Sequence, residues 1–232
     1  MNDLAFSPIE KTISFYTRND FAILNHLLIG DLDGLWKYAL LAYRDNQGII
    51  DEYERGVRTI DSDYDIKWLN SLKERQIDGL DGGSKASILK TARDDISNIL
   101  RAMSPTRKDL LLYRTAWIDP EYTAESSFAY SREYRNMALT ADGSMEIKTI
   151  SSFSLTPYRE EEDVGSDFYR YELYVPKGGS ILPLDQFVCH NEPGEVLLPP
   201  MRCSVTGFRG SENKRCRGVI ALVFSEPLPY RE

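Results

Sequence analysis

The chain is poor in cysteine, with three in 232 residues at Cys189, Cys203 and Cys216. None stands in a C-x-x-C spacing, and an odd, sparse set reads as free thiols in a reducing compartment. Long apolar runs are missing, and nothing approaches the roughly 20 residues that a membrane-spanning helix needs. Positive charge is also short. The formal net charge is −8, which argues against nucleic acid as the main partner, because phosphate binding needs clustered Lys and Arg. Residues 1–12, MNDLAFSPIEKT, lack a basic stretch followed by an apolar one, so no standard signal peptide is expected. A cytoplasmic location is expected, or export by a route that needs no such signal. There is no internal repeat and no low-complexity tract. What the chain does have is ordinary for a soluble globular protein: 42% hydrophobic and 28% charged residues, enough for one large domain or two small ones.

The first ~105 residues carry helical periodicity. Ser7-Pro8-Ile9-Glu10 reads as a capped helix start, with Glu placed for a capping box. Asn19-Asp20 reads as the cap of a second helix, with Phe21, Leu24, Leu27 and Leu28 on one face and Gly30 closing it. Leu35, Tyr38, Ala39 and Tyr43 predict a third. Ile66, Leu69, Leu72 and Ile77 predict a fourth, ended by the glycines from Gly79 to Gly83. A fifth carries Ile88, Leu89, Ala92, Ile96 and Leu100 and stops at Ser104-Pro105. His26 falls on a helical face and reads as packed. Beyond this point short strands predominate: 110–118, 147–155, 168–175, 181–188, 196–198, 202–208 and 219–224, with residues 121–145 as polar loop and Glu160 to Asp163 as an acidic loop. The expected fold is therefore α+β. A helical N-terminal region, 1–105, precedes a core at 106–232 of two packed, mostly antiparallel β-sheets.

Three positions in this core stand out. Glu195 opens the short apolar strand Val196-Leu197-Leu198, after the turn residues Pro193-Gly194 and before Pro199-Pro200. A carboxylate there suits general-base or charge-stabilising work, or simply guards a strand edge. Arg114 lies within an apolar strand, with Leu112 and Ala116 on its face. Such a cation needs an anion, either a structural carboxylate or a phosphate taken bidentately. Ser152 and Ser154 share a strand face, with Phe153 pointing the other way. They read as strand-end hydroxyls or as groups that order a carboxylate or ligand.

Taken in order, Leu112-Tyr113-Arg114, then Ser152-Phe153-Ser154-Leu155, then Glu195-Val196-Leu197-Leu198-Pro199-Pro200 resemble the Arg-Ser-Glu class of mono-ADP-ribosyltransferases. That family includes cholera-type toxins, clostridial exoenzymes, vertebrate ecto-enzymes and phage enzymes. Tyr174 to Gly178 resembles the family's strand-plus-glycine between the second and third motifs. Residues 16–28 look like the helical lead-in of the bacterial exoenzyme branch. The resemblance implies transfer of ADP-ribose from NAD, used as a substrate and without a metal, to a protein side chain. It implies that Arg114 grips the NAD phosphates, with Tyr113 and Thr115 beside it. Ser152 would hold Glu195, Ser154 would support the strand, and Glu195 would meet the ribose 2′-hydroxyl next to nicotinamide.

The chain departs from the family where many members carry Gln or Glu two residues before the catalytic Glu. Here that residue is Pro193, and Glu192 stands three residues before. With His190 they form the expected target-recognition segment. Cys189 and His190 are adjacent, so extended chain would point them apart, which disfavours a nucleophile–base pair. Two further readings stay open: an NAD glycohydrolase that passes ADP-ribose to water, and a non-catalytic interaction module whose acidic surface docks a basic partner. The N-terminal helices would position the target, or bind a delivery factor or chaperone.

Overall fold

The computed structural model describes residues 5–17, 21–76, 81–118, 144–157, 167–187, 193–212 and 216–230. The chain divides into two compact units, Met1–Ala102 and Met103–Glu232.

Among the described residues the first unit holds five helices: α1 (Pro8–Phe15), α2 (Phe21–Ile29), α3 (Leu32–Glu54), α4 (Asp63–Glu74) and α5 (Gly82–Ala102). α1 opens on the capping box its sequence predicts. The Ser7 hydroxyl accepts the Glu10 N–H, and the Glu10 carboxylate accepts the Ser7 N–H at 2.9 Å. α3 runs 23 residues, well past the predicted Tyr43. Ala42, Asn46 and Ile50 keep a buried stripe at helical spacing, but two of these three are small or polar and are weak apolar markers. Asp31 caps α3 through the Gly34 N–H and also bonds the buried His26, which stacks on Tyr38. Asp95 of α5 ties this unit together. It accepts the Thr12 hydroxyl of α1 at 2.6 Å and pairs with Arg75, at the end of α4, at 2.7 Å. The Arg75 guanidinium in turn lies 3.7 Å from the Phe15 ring centroid.

Among the described residues the second unit holds nine strands: β1 (Ser104–Pro105), β2 (Leu110–Ile118), β3 (Ser144–Ile147), β4 (Ser151–Ser154), β5 (Asp167–Val175), β6 (Ser180–Pro183), β7 (Glu195–Leu198), β8 (Met201–Arg209) and β9 (Cys216–Pro227). They form one hydrogen-bonded series in the order β1-β6-β7-β4-β2-β5-β9-β8-β3. The expectation of two sheets is thus corrected to one, and the α+β class holds. The series stays continuous because β4 pairs with β2 at Ser154 and Tyr113 while its other edge pairs with β7. Among the described strands, every pairing is antiparallel except β5 with β9. The predicted strand 147–155 is two strands. β3 pairs with β8 at one end of the sheet and β4 lies between β7 and β2, so the chain must cross between them at 148–150. The predicted strand 181–188 stops at Pro183, where the chain turns through a bond from the Phe187 N–H to the Leu184 carbonyl. Leu112, Phe153, Tyr171, Leu173, Val196, Leu198, Leu222 and Phe224 form the core on one side of this sheet. No described helix is long and apolar enough to cross a membrane.

Candidate active site

The register of three neighbouring strands sets the site. Ser154 of β4 stands opposite Tyr113 of β2 and opposite Glu195 of β7, so the three form one row across the sheet. Ser152 lies two residues along β4 on the same face, diagonal to Glu195, within reach of a longer side chain. The Ser152 hydroxyl donates to Glu195 Oε1. On the other face Phe153 is buried in the core, the alternation its sequence predicts.

Arg114 stands opposite Tyr171 of β5, and the pleat places it on the core side with Leu112. Its guanidinium lies 5.8 Å from the Phe153 ring centroid, and its Nη1 donates to the Ser152 carbonyl at 2.9 Å. One strand segment therefore links the two charged groups: Arg114 holds the Ser152 backbone, and the Ser152 side chain holds Glu195. All three residues are half-buried, where charge-assisted hydrogen bonds contribute more than on an open surface.

Ser154 is also half-buried, and its hydroxyl accepts the Thr156 N–H at 3.1 Å, closing the end of β4. Tyr113 and Thr115 are half-buried on β2. Glu172 of β5, opposite Tyr113, extends the row with a second carboxylate. Arg209 takes it bidentately at 2.5 and 2.9 Å, so that charge is matched across the sheet, and the pairing holds the guanidinium above its usual pKa.

The backbone around Glu195 is held on both edges. Its carbonyl accepts the Leu184 N–H at 2.9 Å, and the Gly194 carbonyl accepts the Leu155 N–H at 2.8 Å. Gly194 has φ 79°, the left-handed region that its turn with Pro193 requires. The Gly194 N–H donates to Asp185 Oδ1 at 2.8 Å. Asp185 belongs to none of the sequence motifs. Its only signal was an aspartate just before the loop that ends at Gly194, and this contact over nine residues has no local spacing rule. Pro193 is exposed beside the site. Glu192, His190 and Cys189 lie outside the described residues, as does the acidic loop from Glu160 to Asp163. Among the described residues no group of three or more metal-ligating side chains comes together.

No family model matches the chain, and no curated relative matches its sequence. Solved structures do match. The Clostridium limosum C3 exoenzyme is 16% identical with a TM-score of 0.52, over 96% of this chain and 87% of that one. The catalytic domain of VahC from Aeromonas hydrophila is 14% identical with a TM-score of 0.52, over 95% of this chain and 99% of that one. At such low identity the shared property is architecture: this chain has the α+β fold of the C3 exoenzyme and of the VahC catalytic domain.

Proposed function

We propose that the chain is an NAD-dependent mono-ADP-ribosyltransferase that acts on a protein side chain. The observation that carries this reading is the bonded series Arg114–Ser152–Glu195 on the adjacent strands β2, β4 and β7. The order Arg, Ser-x-Ser, Glu-x-x-Leu-Pro and the exoenzyme fold support it. Residues 106–232 would form the NAD-binding core. Residues 1–105 would meet the target, a delivery factor or a chaperone, in the cytoplasm or after export without a standard signal peptide.

The chemistry asks for little besides placed charge. Cleaving the bond between the ribose and nicotinamide builds positive charge on the ribose, an oxocarbenium-like state like that of glycosidases. Glu195 stabilises that charge as it forms, and its carboxylate accepts from the neighbouring 2′-hydroxyl. Ser152 keeps the carboxylate from rotating away, and Arg114 steadies the Ser152 backbone from the core side; the family resemblance assigns its charge to the phosphates, with Tyr113, Thr115 and Ser154 along the same strands. Nicotinamide leaves with the bonding electron pair and needs no strong acid. The acceptor side chain attacks the same ribose carbon and gives up a proton. Glu192, Pro193 and His190 form the segment that would meet the acceptor.

A second reading is favoured by Pro193. A proline two residues before Glu195 offers no side-chain donor or acceptor to steer a protein acceptor, and water would then take the ADP-ribose. Both readings are tested by incubating the protein and its Glu195→Gln variant with labelled NAD and a cell lysate. The transferase reading expects label on a discrete band, lost in the variant, whose turnover falls by roughly two to four decades. Free nicotinamide without a labelled band assigns the glycohydrolase instead. No NAD consumption, or near-normal turnover by the variant, overturns both.

A further inference from the structure

We propose that Asp185 is the positioning residue of Glu195, acting through the N–H of Gly194; this rests on the reading of Glu195 as the catalytic carboxylate. Glu195 follows directly on a Pro-Gly turn whose glycine has φ 79°. The peptide joining Pro193 to Gly194 is the central unit of that turn. It is the unit that inverts between the two common turn forms, and glycine tolerates either orientation. An inversion would change the direction in which the chain delivers Glu195 into β7.

Three backbone groups of Gly194 and Glu195 are bonded here, and they differ in what they restrain. The Gly194 carbonyl bonds Leu155 and the Glu195 carbonyl bonds Leu184. Both use carbonyls that lie after the inverting peptide. The Gly194 N–H belongs to that peptide, and its acceptor is Asp185 Oδ1 at 2.8 Å. Among the described residues, this bond is the one that reads the orientation of the turn. A carboxylate acceptor makes it stronger than a neutral one would. Asp185 follows Leu184, which bonds Glu195 from β7's outer edge, so the two neighbours clamp the residues on either side of one peptide bond. Asp185 is itself exposed, so its contribution to global stability is small and its effect is local.

The test measures nicotinamide release for the wild type, Asp185→Ala, Asp185→Asn, Glu195→Gln and Asp185→Ala/Glu195→Gln. Asp185→Ala is expected to lower kcat about ten- to hundredfold, the range for a misplaced catalytic group. Its KM for NAD and its Tm should barely change. Asp185→Asn keeps an oxygen acceptor and is expected to restore most of kcat. The double variant should be no slower than Glu195→Gln alone, because the loss passes through Glu195. Wild-type kcat in Asp185→Ala, an asparagine variant as slow as the alanine one, or additive losses in the double variant would each overturn the proposal while leaving the functional reading standing. Absence of nicotinamide release by the wild type overturns the functional reading and takes this inference with it. Should Asp185→Ala fail to fold, Asp185→Glu, with an acceptor one methylene further out, is expected to show a partial kcat loss at unchanged KM, and a wild-type kcat there overturns the proposal.

Discussion

Gly194 carries two constraints at once. Its φ of 79° is open to glycine and costly for other residues, and an added Cβ would sit 3.4 Å from the Leu155 Cβ. We expect Gly194→Ala to cost about 1–2 kcal/mol from the backbone alone. Urea melts of the variant check this, and an unchanged midpoint would mean that the turn relaxes freely. A different residue-scale effect concerns Cys203, buried between β3 and β9. Burial pushes its thiol pKa from 9.0 up to about 12. The native thiol should therefore resist alkylation at pH 8 and react only when the chain unfolds, which mass spectrometry after a reagent pulse reads directly. Between pH 9 and about 12 the unfolded chain loses a proton that the folded chain retains, so this group's contribution to stability falls as pH rises through that window. None of this is visible in the letters, because the burial of Cys203 comes from strands packed around it that lie far away in sequence.

At the scale of elements, legibility followed how local the cause was. The start of α1 was readable because Ser7, Pro8 and Glu10 act on one another within a single turn. The alternation of Ser152, Phe153 and Ser154 was readable because the pleat has a period of two. The break between β3 and β4 was not, because it arises from which strands each one pairs with, far away in sequence. The Asp95 junction was equally hidden. Thr12 and Arg75 lie 83 and 20 residues from it, and a lone Asp in a helix usually faces water. The Asp95 and Arg75 side chains are only 8% and 7% exposed. Removing one member of a buried pair costs about 3–5 kcal/mol, so Asp95→Ala should unfold α1, α4 and α5 at markedly lower temperature. Loss of helical circular dichroism at the wild-type melting point would be no surprise, whereas an unmoved melting curve would show that the junction is energetically idle.

For the whole molecule, the class of fold was legible and the number of sheets was not. Short strands with turns between them point to sheets, but a single pairing between Tyr113 and Ser154 makes one series out of two candidate layers. Charge acts at this scale too. A formal net charge of −8 repels an anionic dinucleotide at long range and attracts a basic protein. With screening lengths falling to about 10 Å at 0.1 M salt, the proposed function predicts that kcat/KM for nicotinamide release rises as salt is added from low ionic strength, with kcat unchanged. Stopped-flow or steady-state rates across a salt series check this, and a fall in kcat/KM would place a local positive field over the net charge.

The position of β9 has a consequence for how the sheet is born. In space β9 lies between β5 and β8, yet in sequence it follows every other strand. A ribosome delivers residues 216–227 after all the partners they join. Until then β5 and β8 each expose an unpaired rim, β5 with Phe168, Tyr171, Leu173 and Val175 waiting for cover. Such rims recruit strands from other molecules. Premature release before residue 216 should therefore yield aggregates rather than a smaller soluble sheet.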